Sequence, residues 1–152
     1  IKLFQEGNSK SFASSNFSIN EFFSQRKERD FRCLHIVQTP NTDFGFIITR
    51  QFFMDCYHVL LFSELIKSKD DKISGISKKA IKETSYHLDR SSDWIKRLGL
   101  GTNESNKRLQ TAVNELWMYK DELFIDNDTD IEMDKKKLGP LTSNLKKDWH
   151  KY

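Results

Sequence analysis

Proline, glycine and cysteine are scarce in this chain, which has two, six and two of them among its 152 residues. So few turn-forming residues argue against an all-β fold, which needs many tight turns. The two cysteines, Cys33 and Cys56, form no CxxC pair, so we expect reduced thiols rather than a zinc site or a disulfide. No apolar run approaches the ~20 residues of a membrane-spanning helix. The sequence therefore predicts a helical, cytoplasmic protein with no membrane partner.

The charges are nearly balanced, since 25 lysines and arginines face 22 aspartates and glutamates and leave a formal net charge of +3. The densest basic run, Lys135 to Lys137, follows Asp130, Glu132 and Asp134. Such a mixed segment is typical of a solvated surface. We therefore expect no nucleic-acid partner.

Hydrophobic periodicity and capping residues predict an all-α chain with three long helices and shorter flanking ones. The predicted elements are a helix at 19–31 opened by a capping box at Ser18 and Glu21, a short segment at 33–38, long helices at 44–66, 74–98 and 102–124, an acidic loop at 126–134, and a last helix from Thr142. Short connections make neighbouring long helices antiparallel. We divide the chain into a linker-like entry at 1–17, a helical domain at 18–124, and an acidic loop with a terminal helix at 125–152.

The predicted helix at 44–66 has apolar residues on every face. A helix that is apolar all round is buried at the centre of a bundle. Polar residues on such a helix, among them Asp55 and His58, need partners because an unpaired buried charge is costly.

Two pairs of metal-binding residue types occur on neighbouring predicted helices. Asp55 and His58 are three residues apart and Glu83 and His87 are four apart, so the members of each pair share a helix face. Ferritin-like bundles hold di-iron centres with carboxylates and Glu-x-x-His pairs on facing helices. Here Tyr86 stands three residues after Glu83, and His87 is turned by ~100° from the ligand position.

This spacing leaves three interpretations open. The residues form half of a di-iron site, or they form a buried polar cluster that is the remnant of one, or some of them simply point outward. We predict the second, a buried polar cluster that is held by hydrogen bonds, coordinates no metal and contains no catalytic residue. The members of this predicted cluster are Asp55, His58, Glu83, Tyr86 and His87.

Several longer segments carry a family resemblance. They are Gln38 to Phe44, Arg50 to Asp55, His58 to Leu61, Lys82 to Leu88, Trp94 to Gly99, Gly101 to Ser105, Leu116–Trp117, and Asp121 to Phe124. In register over residues 22–124, they resemble the C subunit of the ring-1,2-phenylacetyl-CoA epoxidase family, also called phenylacetate-CoA oxygenase.

The resemblance implies a ferritin-like helical bundle and a subunit of a multicomponent oxygenase. In that family the A subunit carries the di-iron site and epoxidises the aromatic ring of phenylacetyl-CoA, with dioxygen and electrons from a reductase subunit. The C subunit is a paralogue of A that has lost working iron ligands and serves as its structural partner. The resemblance thus implies no cofactor in this chain, di-iron in the partner, and only indirect contact with the reductase.

Family members are longer at both ends, so we expect this chain to hold the second helix pair of the bundle with its flanking helices. Without the first pair the helix at 44–66 would expose apolar side chains, and we expect the isolated chain to be marginally stable or to self-associate. Two rival functions are an active di-iron subunit and a helical interaction module unrelated to oxygenases.

Overall fold

A computed structural model describes residues 33–152 of the chain. The predicted entry at 1–17, the capping box at Ser18 and the helix at 19–31 lie outside the described residues. The fold below is that of the compact unit His35–Tyr152.

Every regular element among the described residues is helical, and no strand occurs in that part of the chain. The α-helices are α1 (His35–Gln38), α2 (Phe44–Leu65), α3 (Asp71–Gly99), α4 (Asn103–Trp117), α5 (Asp128–Lys135) and α6 (Lys146–Trp149), with short 3₁₀ helices at Lys120–Phe124 and Thr142–Leu145. The predicted all-α fold class is confirmed.

Side-chain caps fix where the long helices begin. The carboxylate of Asp43 accepts a hydrogen bond from the backbone N–H of Phe46 at 2.8 Å, as its position before α2 predicts. Asp70 caps α3 in the same way by accepting from the N–H groups of Lys72 and Ile73. Helix α3 therefore begins at Asp71, three residues earlier than predicted, because the charged stretch before Ile73 contains this cap.

The turn between α3 and α4 depends on a close approach of the backbone. A Cβ atom on Gly101 would lie 2.8 Å from the carbonyl oxygen of Arg97, so only glycine fits without a shift. Thr102 then caps α4 by accepting from the N–H of Ser105, whose own hydroxyl accepts from the N–H of Thr102.

Helix α2 is the central element, and it packs against both α3 and α4. Phe44 at its start meets the ring of Trp94 near the end of α3, with 5.0 Å between ring centroids. The carbonyl of Ile66, just after α2, accepts from the hydroxyl of Ser74 near the start of α3. The two helices are thus antiparallel, as predicted from their short connection.

The acidic segment at 126–134 was predicted to be a loop, and this prediction is wrong because most of the segment is helix α5. Asn127 caps this helix by accepting from the N–H groups of Thr129 and Asp130, and the carboxylate of Asp130 accepts from the N–H of Asn127. This reciprocal cap satisfies amides that would otherwise lack partners. Acidic residues near a helix N-terminus also stabilise the helix, because their negative charge interacts favourably with the helix dipole.

The C-terminal segment packs back onto α2 through Trp149. Its indole N–H donates to the carbonyl oxygen of Phe53 at 3.0 Å, and its ring lies 5.3 Å from the ring of Phe53 and 5.7 Å from that of Phe124. Trp149 is therefore part of the core, as the amphipathic pattern after Thr142 predicts.

Candidate functional site

Asp55 is a buried carboxylate at the interface between α2 and α3. Only 2% of its surface is exposed. Its Oδ2 accepts from the hydroxyl of Ser91 on α3 at 2.8 Å, and its Oδ1 accepts from the side-chain amide of Gln51, one turn earlier on α2, at 2.6 Å. Both carboxylate oxygens are therefore hydrogen-bonded, which offsets the cost of burying the group.

The residues that follow Asp55 along α2 have perturbed acid–base properties. Burial, and to a lesser degree the neighbouring Asp55, raises the pKa of the Cys56 thiol to about 12. Burial also raises the pKa of Tyr57 to about 12, with smaller contributions from Asp130 and Asp126. These groups stay protonated at neutral pH, so Cys56 is a poor nucleophile.

His58 is partly buried beside the rings of Tyr57 and Phe62. Burial lowers the pKa of its imidazole below the ordinary value of 6.5, and the negative charge of Asp55 opposes that shift in part. His58 is accordingly neutral at pH 7.

The prediction of one buried polar cluster is wrong for Glu83, Tyr86 and His87, which are not buried. Glu83 is exposed, and 63% of the surface of Tyr86 is exposed. His87 is half-buried, and its Nε2 lies 3.5 Å from Oε1 of Glu83 on the same helix. The buried face of α3 includes Leu88, and Tyr86 lies ~160° round the helix from it. Of the five predicted members, only Asp55 is fully buried.

The donor geometry does not fit a di-iron centre made by these residues alone. Nowhere in the described part of the chain do three or more histidine, cysteine, aspartate or glutamate side chains gather closely enough to hold a metal ion. The oxygens of Asp55 are engaged by Ser91 and Gln51, while Glu83 and His87 pair with each other at the surface. The suggestion that these positions are the remnant of a metal site stays a prediction.

The partner that sequence reasoning missed is Ser91. This serine lies on the apolar stripe of α3, eight residues after Glu83, and is almost completely buried. One sequence signal could have indicated this partner. It is a small hydroxyl residue on the apolar stripe of one helix, next to a helix that buries an aspartate. The prediction instead chose the residues with stronger metal-binding chemistry.

The comparisons with known proteins cover most of the chain. The family model described as phenylacetic acid catabolic protein matches residues 11–152. The chain belongs to this family. Among curated proteins it is 41% identical over 124 residues to the C subunit of the 1,2-phenylacetyl-CoA epoxidase of Escherichia coli (strain K12), an alignment that covers 82% of this chain and 50% of that protein. The chain thus spans about half the length of the curated relative it matches.

Family membership and the helices agree on the predicted ferritin-like, all-α fold class. Among the described residues, none of the helices combines the length and the hydrophobicity needed to cross a membrane. The predicted cytoplasmic location stays a prediction.

Proposed function

We propose that this chain is a non-catalytic structural subunit of a multicomponent di-iron oxygenase that epoxidises phenylacetyl-CoA in aerobic phenylacetate degradation. The observation that carries the proposal is the 41% identity, over 82% of the chain, to a protein named as the C subunit of a phenylacetyl-CoA epoxidase. Identity at this level over 124 residues supports the same place in an assembly, and the matched region is half of the relative's length.

The donor geometry supports a role without chemistry of its own. Iron ligands in a helical bundle must point their free oxygen and nitrogen atoms at a common centre. Here the carboxylate of Asp55 serves a hydrogen-bonded contact between α2 and α3, and Glu83 and His87 pair along one helix at the surface. In the proposed assembly the di-iron site belongs to a paralogous catalytic A subunit, and the reductase acts on that subunit.

The experiment is to reconstitute the oxygenase from separately purified A subunit, reductase and this chain. Turnover is followed as loss of phenylacetyl-CoA and uptake of dioxygen, and the iron content of each subunit is measured before mixing. We expect iron in the A subunit alone and lower turnover when this chain is left out. The double substitution Glu83→Gln/His87→Ala, which removes a pair within one helix, should leave the kcat of the complex unchanged.

The alternative is an active di-iron subunit. Its support is that Asp55 with His58 and Glu83 with His87 lie on two adjacent helices. A common centre would require α3 to move relative to α2, because Glu83 is exposed. Two irons per chain after anaerobic purification, with their loss in the Glu83→Gln/His87→Ala variant, would establish this alternative and overturn the structural role.

A further inference from the structure

We draw no further inference here: the strongest candidate, the exposed apolar patch that Phe44 and Ile47 form at the start of α2, carries none, because nothing in the structure shows what covers it.

Discussion

Ser91 donates its hydroxyl hydrogen to Oδ2 of Asp55 across the interface between α3 and α2, with 2.8 Å between the two oxygens. The same hydroxyl oxygen lies 3.2 Å from the carbonyl oxygen of Leu88. Because a hydroxyl has one hydrogen, the shorter bond to a carboxylate is the stronger of the two. This contact joins the middle of α2 to the C-terminal half of α3, through one member of the predicted polar cluster.

Substituting Ser91→Ala should destabilise the fold by about 1–3 kcal/mol, the cost of leaving a buried acceptor without one of its donors. Asp55 would keep only the amide of Gln51, and Gln51 is itself exposed. The measurement is the free energy of unfolding in urea, followed by circular dichroism. The m-value should not change, because the surface exposed on unfolding stays the same.

The matched control for that experiment is Ser85→Ala, on the same helix but without a hydrogen bond from its hydroxyl to any described residue. Its effect should be near zero or slightly stabilising, because alanine has the higher helix propensity. Equal destabilisation by the two substitutions would show that the Ser91–Asp55 bond contributes nothing specific.

Trp149 should be the most sensitive position in the C-terminal segment. Trp149→Ala removes a 5% exposed indole that packs on Phe53 and Phe124, and large core truncations of this kind cost about 3–5 kcal/mol. Trp149→Phe keeps most of the packing and loses the bond to the Phe53 carbonyl, which is worth about 0.5–1.5 kcal/mol. Thermal unfolding measures both.

Tyr152→Ala serves as the control for Trp149, since Tyr152 belongs to the same segment but is exposed. It should shift the melting temperature little. A Trp149→Ala protein that melts at the wild-type temperature would mean that the C-terminal segment contributes no stability to the helices it covers.

The helices were predictable where the local signal was strong. Apolar residues on all sides of α2 predicted a buried central helix, and Asp43 predicted where it begins, because a cap is a short-range feature of the chain. Helix α5 was missed because its acidic composition is typical of loops. The reciprocal cap formed by Asn127 and Asp130 stabilises a helix here, and amino-acid composition alone does not reveal such a cap.

The candidate site was only partly predictable, because a helix pattern says which residues share a face but not which way that face points. Asp55 was chosen correctly as a polar residue that needs partners. Glu83 and Tyr86 were placed in the same cluster because their spacing resembles a ligand motif, yet their side of α3 is exposed. The rotation of α3 about its axis is set by tertiary packing, which buries Ser77, Leu88 and Ser91 and bonds Ser91 to Asp55 on α2.

His58 should make the stability of the fold depend on pH below neutrality. Its folded-state pKa lies below the ordinary 6.5, so the unfolded chain binds a proton that the folded protein resists. The contribution is therefore fully present above pH ~6.5 and is lost as the pH falls through the lower folded-state pKa. Urea unfolding of the wild type should show decreasing stability between pH 7.5 and about pH 5.5, before carboxylates titrate.

The variant His58→Gln should flatten that profile, because it removes the group whose pKa is lowered by burial. An identical pH dependence in the wild type and the His58→Gln protein would assign the effect to other groups.

The isolated chain should self-associate through apolar side chains that α2 and α3 leave exposed. Phe44 and Ile47 lie three residues apart on one face of α2 and are 48% and 39% exposed, and Ile76 on α3 is more exposed still. Soluble monomers rarely leave large apolar patches in contact with water. We expect the mass measured by light scattering during size-exclusion chromatography to rise with protein concentration, and Ile47→Gln/Ile76→Gln to reduce that rise.

Leu100→Gln, at a single exposed leucine in the turn after α3, should not reduce it, because isolated apolar residues are common on surfaces. A monomer at every concentration that melts cooperatively would contradict the prediction, and would mean that these exposed apolar side chains are stable in water without a partner.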